Sequence, residues 1–280
     1  MTTPVEEQFV EDGNTGIFFR SWHPATAARG IVVIVPGFNA HSGYYQWVAD
    51  QLVDNGLAAY AIDLRGRGRS DGIRFYVADF GEYKSDVAGL MNLVKARNSG
   101  VPIFLFGHSA GGVVACLYAL DGQAGLQGLI CESFAHELPA PDFALAVIKG
   151  LSHFAPHAHV LRLKNEDFSR DPIAVSKMNS DPLIAAESQP TQTLAALVRA
   201  DEKLKQEFAN ITLPLLIIHG TADKAAKPSG SQHFFENAGA ADKTLKLYDG
   251  SFHDPLNDSD RKTVFSDIVA WVDAHLAPRY

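Results

Sequence analysis

Short apolar runs alternate with helix-period segments along most of this chain, and that rhythm admits few folds. Ile31–Val35 is a continuous apolar run, as expected of a strand covered on both faces. Tyr45, Val48, Ala49 and Leu52 follow at helical spacing, and Leu57–Ile62 reads as the next strand. A longer helix begins near Asp79, with Glu82 three residues on as its capping-box partner. Its apolar stripe is Phe80, Tyr83, Val87, Leu90, Met91 and Val94. Pro102–Phe106, Ala110–Leu120 and Leu126–Cys131 then read as strand, helix and strand. Such alternation implies a parallel sheet with right-handed crossovers. Ahead of it, Glu6–Glu11 and Thr15–His23 flank the turn signal Asp12-Gly13-Asn14 and read as a β-hairpin.

The alternation stops near Phe134. From there to about Asn210 there is no convincing strand, only helical fragments broken by Pro139, Pro141, Pro156, Pro172, Pro182 and Pro190. It resumes with Leu213–Ile218, a helix near Ser231–Ala238, Thr244–Tyr248, and a final helix carrying Val264, Ile268, Val269, Val272 and Leu276. The expectation is a doubly wound core built from residues 1–133 and 211–280, interrupted by a helical cap at 134–210.

Composition narrows the function classes. The chain is 46% hydrophobic and 20% charged, as in ordinary globular proteins. Its net charge of −8, with no basic block longer than the Arg65-Gly66-Arg67-Gly68-Arg69 stretch, argues against nucleic acid as a partner. Arg65, Arg67 and Arg69 read as a loop whose ion pairs go to surface acids. Cys116 and Cys131 lack metal-type spacing and read as buried, reduced side chains. No stretch is apolar enough for a secretory signal or a membrane span, so the expected location is cytoplasmic.

Gly107-His108-Ser109-Ala110-Gly111 matches G-x-S-x-G and sits between a buried strand and a helix. That context is the one a nucleophile elbow needs. The turn strains the serine backbone and exposes its hydroxyl, and a Cβ at either flanking glycine would crowd it. A serine hydroxyl is a poor nucleophile until an oriented base takes its proton. In this chain order the acid precedes the histidine. Asp223 follows the strand at Leu213–Ile218, and His253 follows Thr244–Tyr248. Both lie past strand C-terminal ends, where open α/β sheets place their sites. Ser109, Asp223 and His253 are therefore the candidate triad, with Glu132, at the end of the strand before the cap, as the alternative acid. Asp254 is a weaker alternative, because a direct neighbour of His253 is badly placed to orient its ring.

The developing oxyanion needs two backbone donors. Ala110 supplies one, and the loop Pro36-Gly37-Phe38-Asn39 supplies the other through Phe38 N–H. In the cap, Phe143, Leu145, Val147, Ile148, Leu151 and Phe154 make an apolar segment that can pack on the core, line an acyl pocket or touch a lipid surface. His153, His157 and His159 have partial metal-like spacing, but no nearby acid or cysteine completes a set, and no metal is assigned. His108 and His41 read as packing and hydrogen-bonding residues.

With these residues in place the chain resembles the monoacylglycerol lipases, a capped branch of the α/β-hydrolases. The likeness runs through His41-Ser42-Gly43-Tyr44-Tyr45, Asp63-Leu64-Arg65-Gly66-Arg67-Gly68-Arg69-Ser70 and Gly107–Gly112. It continues in the cap with Ser169-Arg170-Asp171-Pro172 and Asn179-Ser180-Asp181-Pro182-Leu183, then in His219–Asp223 and Tyr248–His253. The resemblance implies an α/β-hydrolase fold, with a mostly parallel eight-stranded sheet, helices on both faces and an inserted helical cap. It implies cofactor-free hydrolysis of a glycerol ester of one fatty acid, with transient membrane-surface contact through the cap. Substrate contacts then fall on Asn39, His41, Phe143, Val147, Ile148 and Leu151. The family's usual His-Gly is here Pro36-Gly37, its Glu before His41 is Ala40, and its Ser-Ala-Pro after the sixth strand is replaced by Cys131-Glu132-Ser133-Phe134. Alternatives with the same triad are a carboxylesterase or lysophospholipase on other monoesters, aromatic acid esters included, and an acyltransferase. Outside the enzymes, a ligand-binding sensor would keep the pocket.

Overall fold

The computed structural model describes residues 1–137 and 140–276, so the expected break at Pro139 lies outside the described residues. The chain opens with the hairpin β1 (Val5–Glu11) and β2 (Thr15–Trp22), antiparallel across the turn at Asp12 and Gly13. Then come β3 (Ile31–Val35), α1 (Gln46–Asp54), β4 (Ala58–Ile62), α2 (Phe80–Arg97), β5 (Ile103–His108), α3 (Ala110–Gly122) and β6 (Gly128–Glu132). Between β6 and the next long strand lie α4 (Asp142–Leu151), β7 (His159–Leu161), α5 (Pro172–Ser180), β8 (Gln189–Pro190) and α6 (Thr191–Glu207). The chain then returns through β9 (Leu215–Gly220), α7 (Pro228–Asn237), β10 (Lys243–Tyr248) and α8 (Arg261–Leu276).

Eight strands form one sheet in the order β1-β2-β4-β3-β5-β6-β9-β10. Its first two pairings are antiparallel and the rest parallel. This is the α/β-hydrolase architecture. Every residue of β3, β4, β5, β6 and β9 is buried, which explains their unbroken apolar runs. Alternate side chains feed two cores. Val33, Leu105 and Leu129 face a cluster with α2 and α3, while Val32, Ile34 and Phe104 face one with α1 and α8. Each fully buried side chain of this size contributes about 1.5–3 kcal/mol, so the sheet is a rigid platform for whatever its loops carry. The capping box at the start of α2 is formed, with Asp79 accepting from Gly81 N–H and Glu82 reaching back to Asp79 N–H.

Two expectations need correction. The insertion contains a short antiparallel ladder, β7 with β8, although no strand was expected there. With two or three residues per strand and a proline in one of them, it leaves no periodic signal. Arg67 does not pair with a surface acid. It is fully buried and reaches Glu187 and Gln189 from the insertion, with Nε–H donating to Tyr83 Oη. Arg65 is also largely buried and grips Asp86, itself fully buried, whose carboxyl is raised to about 6 by burial against the opposing pull of Arg65. Arg65 also meets the expectation in part, pairing with exposed Asp12 and Glu82, and Arg69 meets it fully, pairing with exposed Glu6.

Candidate active site

Ser109 sits between β5 and α3 with φ 53° and ψ −122°. That left-handed-side conformation is costly for a residue with a Cβ and marks a turn over-determined by its surroundings. The glycines beside it are obligatory. A Cβ on Gly107 would meet Gly111 O and Gly112 Cα at 2.6 Å, and one on Gly111 would lie 2.1 Å from Val35 O. The turn is held by Ser109 N–H donating to Glu132 O at 2.9 Å.

The chain after β10 brings His253 to this turn, and the chain after β9 brings Asp223. Ser109 Oγ–H donates to His253 Nε2 at 2.8 Å, and His253 Nδ1–H donates to Asp223 Oδ2 at 2.7 Å. A carboxylate only accepts, so the proton on Nδ1 is dictated and the lone pair on Nε2 faces the serine. All three residues are buried or nearly so. Burial alone would push the Asp223 carboxyl up, but the hydrogen bond from His253 and the closeness of the His253 and His219 rings outweigh it and hold it well below the usual carboxylate range. Ala225 and Ala226 N–H donate to its other oxygen at 2.7 and 3.0 Å.

Glu132 does not reach the imidazole. Its Oε1 accepts Leu256 N–H at 2.9 Å, and burial, with Asp254 adding repulsion, pushes its carboxyl well above the ordinary value. The same loop is held on the other side by His108, whose Nε2–H donates to His253 O at 3.1 Å. Burial lowers the pKa of His108, which favours the neutral ring that makes this single donation.

Phe38 and Ala110 flank Ser109 along one cavity wall, and neither of their N–H groups has an acceptor among the described residues. The cavity is about 600 Å³ and mostly apolar, with Ser109 and His253 in its wall. Phe143, Val147 and Ile148 of α4 line it, joined by Leu194, Leu197 and Val198 of α6. Asn39, His41 and Leu151 do not line it. Asn39 Nδ2–H donates to Asn165 Oδ1 at 2.8 Å and so ties the loop after β3 to the insertion. His41 Nε2 lies 2.8 Å from Asp181 Oδ2 in a separate cleft, and Leu151 is half-exposed at the C-terminal end of α4.

Two residues with no assigned role in the sequence reading touch the site. His219 Nε2 is 2.9 Å from Asp223 Oδ2, off the hydrogen-bonding direction, while its Nδ1 pairs with Ser231 Oγ at 2.7 Å. Phe168, from the insertion, packs edge-on against the His253 ring at 4.8 Å. The i, i+4 spacing of His219 and Asp223 was visible, but nothing in the sequence linked Phe168 to position 253. The three histidines with metal-like spacing do not converge. His157 stacks on Tyr76, and His159 Nδ1–H donates to Ser188 O.

This arrangement can deprotonate a serine hydroxyl in the wall of an apolar cavity, beside two backbone N–H groups with no acceptor among the described residues. Comparisons with known proteins agree with that chemistry. The family profile described as serine aminopeptidase, S33, matches residues 26–260. A monoacylglycerol lipase of Mycolicibacterium smegmatis is 31% identical over 278 residues, covering 98% of this chain and 99% of that protein. The monoglyceride lipase of Homo sapiens is 30% identical over 266 residues, 93% of this chain and 88% of that one. The crystal structure of Paleococcus ferrophilus monoacylglycerol lipase superposes with a TM-score of 0.83 at 28% identity, covering 92% of this chain and 99% of that one. The chain thus belongs to the serine aminopeptidase S33 family of α/β-hydrolases, and within it is a serine ester hydrolase of the monoacylglycerol lipase type.

Proposed function

We propose that the protein hydrolyses monoacylglycerols through an acyl-enzyme formed on Ser109. His253 Nε2 takes the hydroxyl proton as Oγ attacks the ester carbonyl. The bond to the alcohol oxygen then breaks, and the same proton passes from Nε2 to the departing glycerol. Water repeats the sequence on the acyl-enzyme, releasing the fatty acid and restoring the serine. Asp223 fixes the imidazole tautomer and stabilises its charged form. Phe38 and Ala110 N–H receive the oxyanion, each worth about 3–4 kcal/mol of barrier. The observation that carries this reading is the unbroken Ser109–His253–Asp223 hydrogen-bond chain at the wall of an apolar cavity.

Residues 134–210 act in this reading as a cap whose α4 and α6 form the acyl pocket. Each methylene buried there adds up to about 0.8 kcal/mol, so chain length governs substrate choice. α4 and the turn after it expose Phe143, Val147 and Phe154, the last at 89%, and supply a patch for transient contact with a lipid surface. No helix among the described residues is long and apolar enough to cross a membrane. A reducing, cytoplasmic setting fits Cys116 and Cys131, which lie buried as free thiols 3.7 Å apart.

The test is hydrolysis of a monoacylglycerol chain-length series beside matching methyl esters and a triacylglycerol, with Ser109→Ala as control. Preference for the monoacylglycerols supports the reading. Methyl esters cleaved equally well would show that glycerol is not recognised, and would leave a general carboxylesterase with Pro36 and Ala40 as its departures from the lipase pattern. Full activity in Ser109→Ala would remove the mechanism itself.

A further inference from the structure

We propose a divalent metal site, suited to Zn²⁺, formed by His136 Nε2, His233 Nδ1 and Glu137 Oε1 where the insertion leaves the sheet. Among the described residues this is one of two clusters whose ligand atoms all lie within 4.8 Å of one another. His136 and Glu137 follow β6, and His233 stands on α7. The two imidazole nitrogens are 2.9 Å apart, and Glu137 Oε1 is 3.9 Å from His233 Nδ1.

The surroundings prepare these atoms for a cation. Asp201, on α6, accepts from His136 Nδ1–H. That bond leaves the Nε2 lone pair pointing at His233, the arrangement in which a carboxylate orients a metal-binding histidine and raises its basicity. Ser229 Oγ–H donates to Glu137 Oε2 at 2.8 Å, so one carboxylate oxygen is anchored while Oε1 faces the histidines. The His136 ring is buried, stacked beside Phe134 and edge-on to Phe208 at 5.2 Å. Gly230 lets α7 approach, since a Cβ there would sit 2.2 Å from His136 O. His233 and Glu137 remain partly exposed, which gives an ion a way in.

The spacing suits a small tetrahedral ion. Zn–N bonds of about 2.0–2.1 Å and Zn–O bonds of about 2.0–2.2 Å place neighbouring ligand atoms roughly 3.3 Å apart. The observed 2.9 and 3.9 Å bracket that value, and the third pair, His136 Nε2 with Glu137 Oε1, is within 4.8 Å, so a swing of the Glu137 carboxylate by about an ångström closes the site, with water in the fourth position. Two imidazoles and one carboxylate favour Zn²⁺ over Mg²⁺ or Ca²⁺, which prefer all-oxygen sets. On binding, the proton shared between the rings moves to His233 Nε2, so both ligand nitrogens offer lone pairs. The ion would then tie the segment leaving β6 to α7 and, through Asp201, to α6, bracing the base of the insertion beside the acyl cavity.

The test is Zn²⁺ binding by isothermal titration to the metal-free chain, with melting temperature recorded in parallel. Expected are one saturable Zn²⁺ per chain, a rise in melting temperature with Zn²⁺ and not with Mg²⁺, and loss of both in His233→Ala and Glu137→Gln. Both substitutions are at partly exposed positions, so folding is preserved, and the metal-free melting temperature of each checks it. Asp201→Asn should weaken binding about 10–100-fold while keeping the stoichiometry. Absence of saturable binding overturns the proposal. So does binding unchanged in His233→Ala, which would move the ion to other ligands, such as the buried His108, Glu132 and Asp254.

Discussion

The guanidinium carbon of Arg67 lies 4.2 Å from the ring centroid of Phe38. A buried cation from the loop after β4 thus backs the residue proposed to supply an oxyanion donor, and the same guanidinium holds Glu187 and Gln189 of the insertion. Removing one member of a buried pair strands the other charge, at a cost of about 3–5 kcal/mol. Arg67→Ala is therefore expected to lose that much stability in urea unfolding. The paired change Arg67→Met with Glu187→Leu should recover most of it, because two apolar side chains replace two desolvated charges. A single variant as stable as the parent would mean the pair is not buried in solution.

The acid is tested by two amides. Asp223→Asn keeps its oxygen on Ala225 and Ala226 N–H and turns its NH2 toward His253, so the tautomer is no longer fixed and kcat should fall about 10⁴-fold. Glu132→Gln keeps an oxygen for Leu256 N–H and should stay within about tenfold of the parent, since no step is routed through Glu132. Reversed results would transfer the role to Glu132.

The depressed carboxyl of Asp223 also has a stability consequence. The unfolded chain takes up its proton near 3.8, while the folded chain resists until well below that. Where the unfolded state binds the extra proton, stability falls as pH falls. The contribution is thus complete above the unfolded value and disappears as pH drops through the folded one. Between pH 5 and pH 3 the parent should lose stability more steeply than Asp223→Asn, by up to about 1.4 kcal/mol per pH unit at the acid end. Equal slopes in chemical unfolding would show that the folded carboxyl titrates normally.

The central strands could be read in the sequence because they are buried on both faces and so consist of unbroken apolar residues. The elbow and the order serine, acid, histidine were legible because each follows a strand. What was not legible depends on distant pairs. Arg67 meets Glu187 from 120 residues away, and His136 meets His233 across 97. Leu194, Leu197 and Val198 carry the spacing of any core-facing helix stripe, so nothing local marked them as cavity wall. Asn39 ends the proposed oxyanion loop and His41 lies just past it, yet their side chains are spent on Asn165 and Asp181.

The lipid-contact patch proposed on the insertion can be tested apart from the chemistry, because two of its exposed apolar residues do not line the cavity. Phe154 and Leu151 are exposed outside it, whereas Phe143 and Val147 are exposed and also line it. Full burial of one such side chain in lipid is worth about 1.5–3 kcal/mol, and partial insertion less. The double variant Leu151→Ser with Phe154→Ser should therefore bind phospholipid vesicles at least tenfold more weakly in a sedimentation assay. Its kcat/KM on a water-dissolved short-chain ester should match the parent, since Ser109, His253 and the cavity wall are untouched. Equal vesicle binding by both proteins would show that the face packs against something other than lipid. A parallel fall on the dissolved ester would instead mean that these side chains support the cavity through α4.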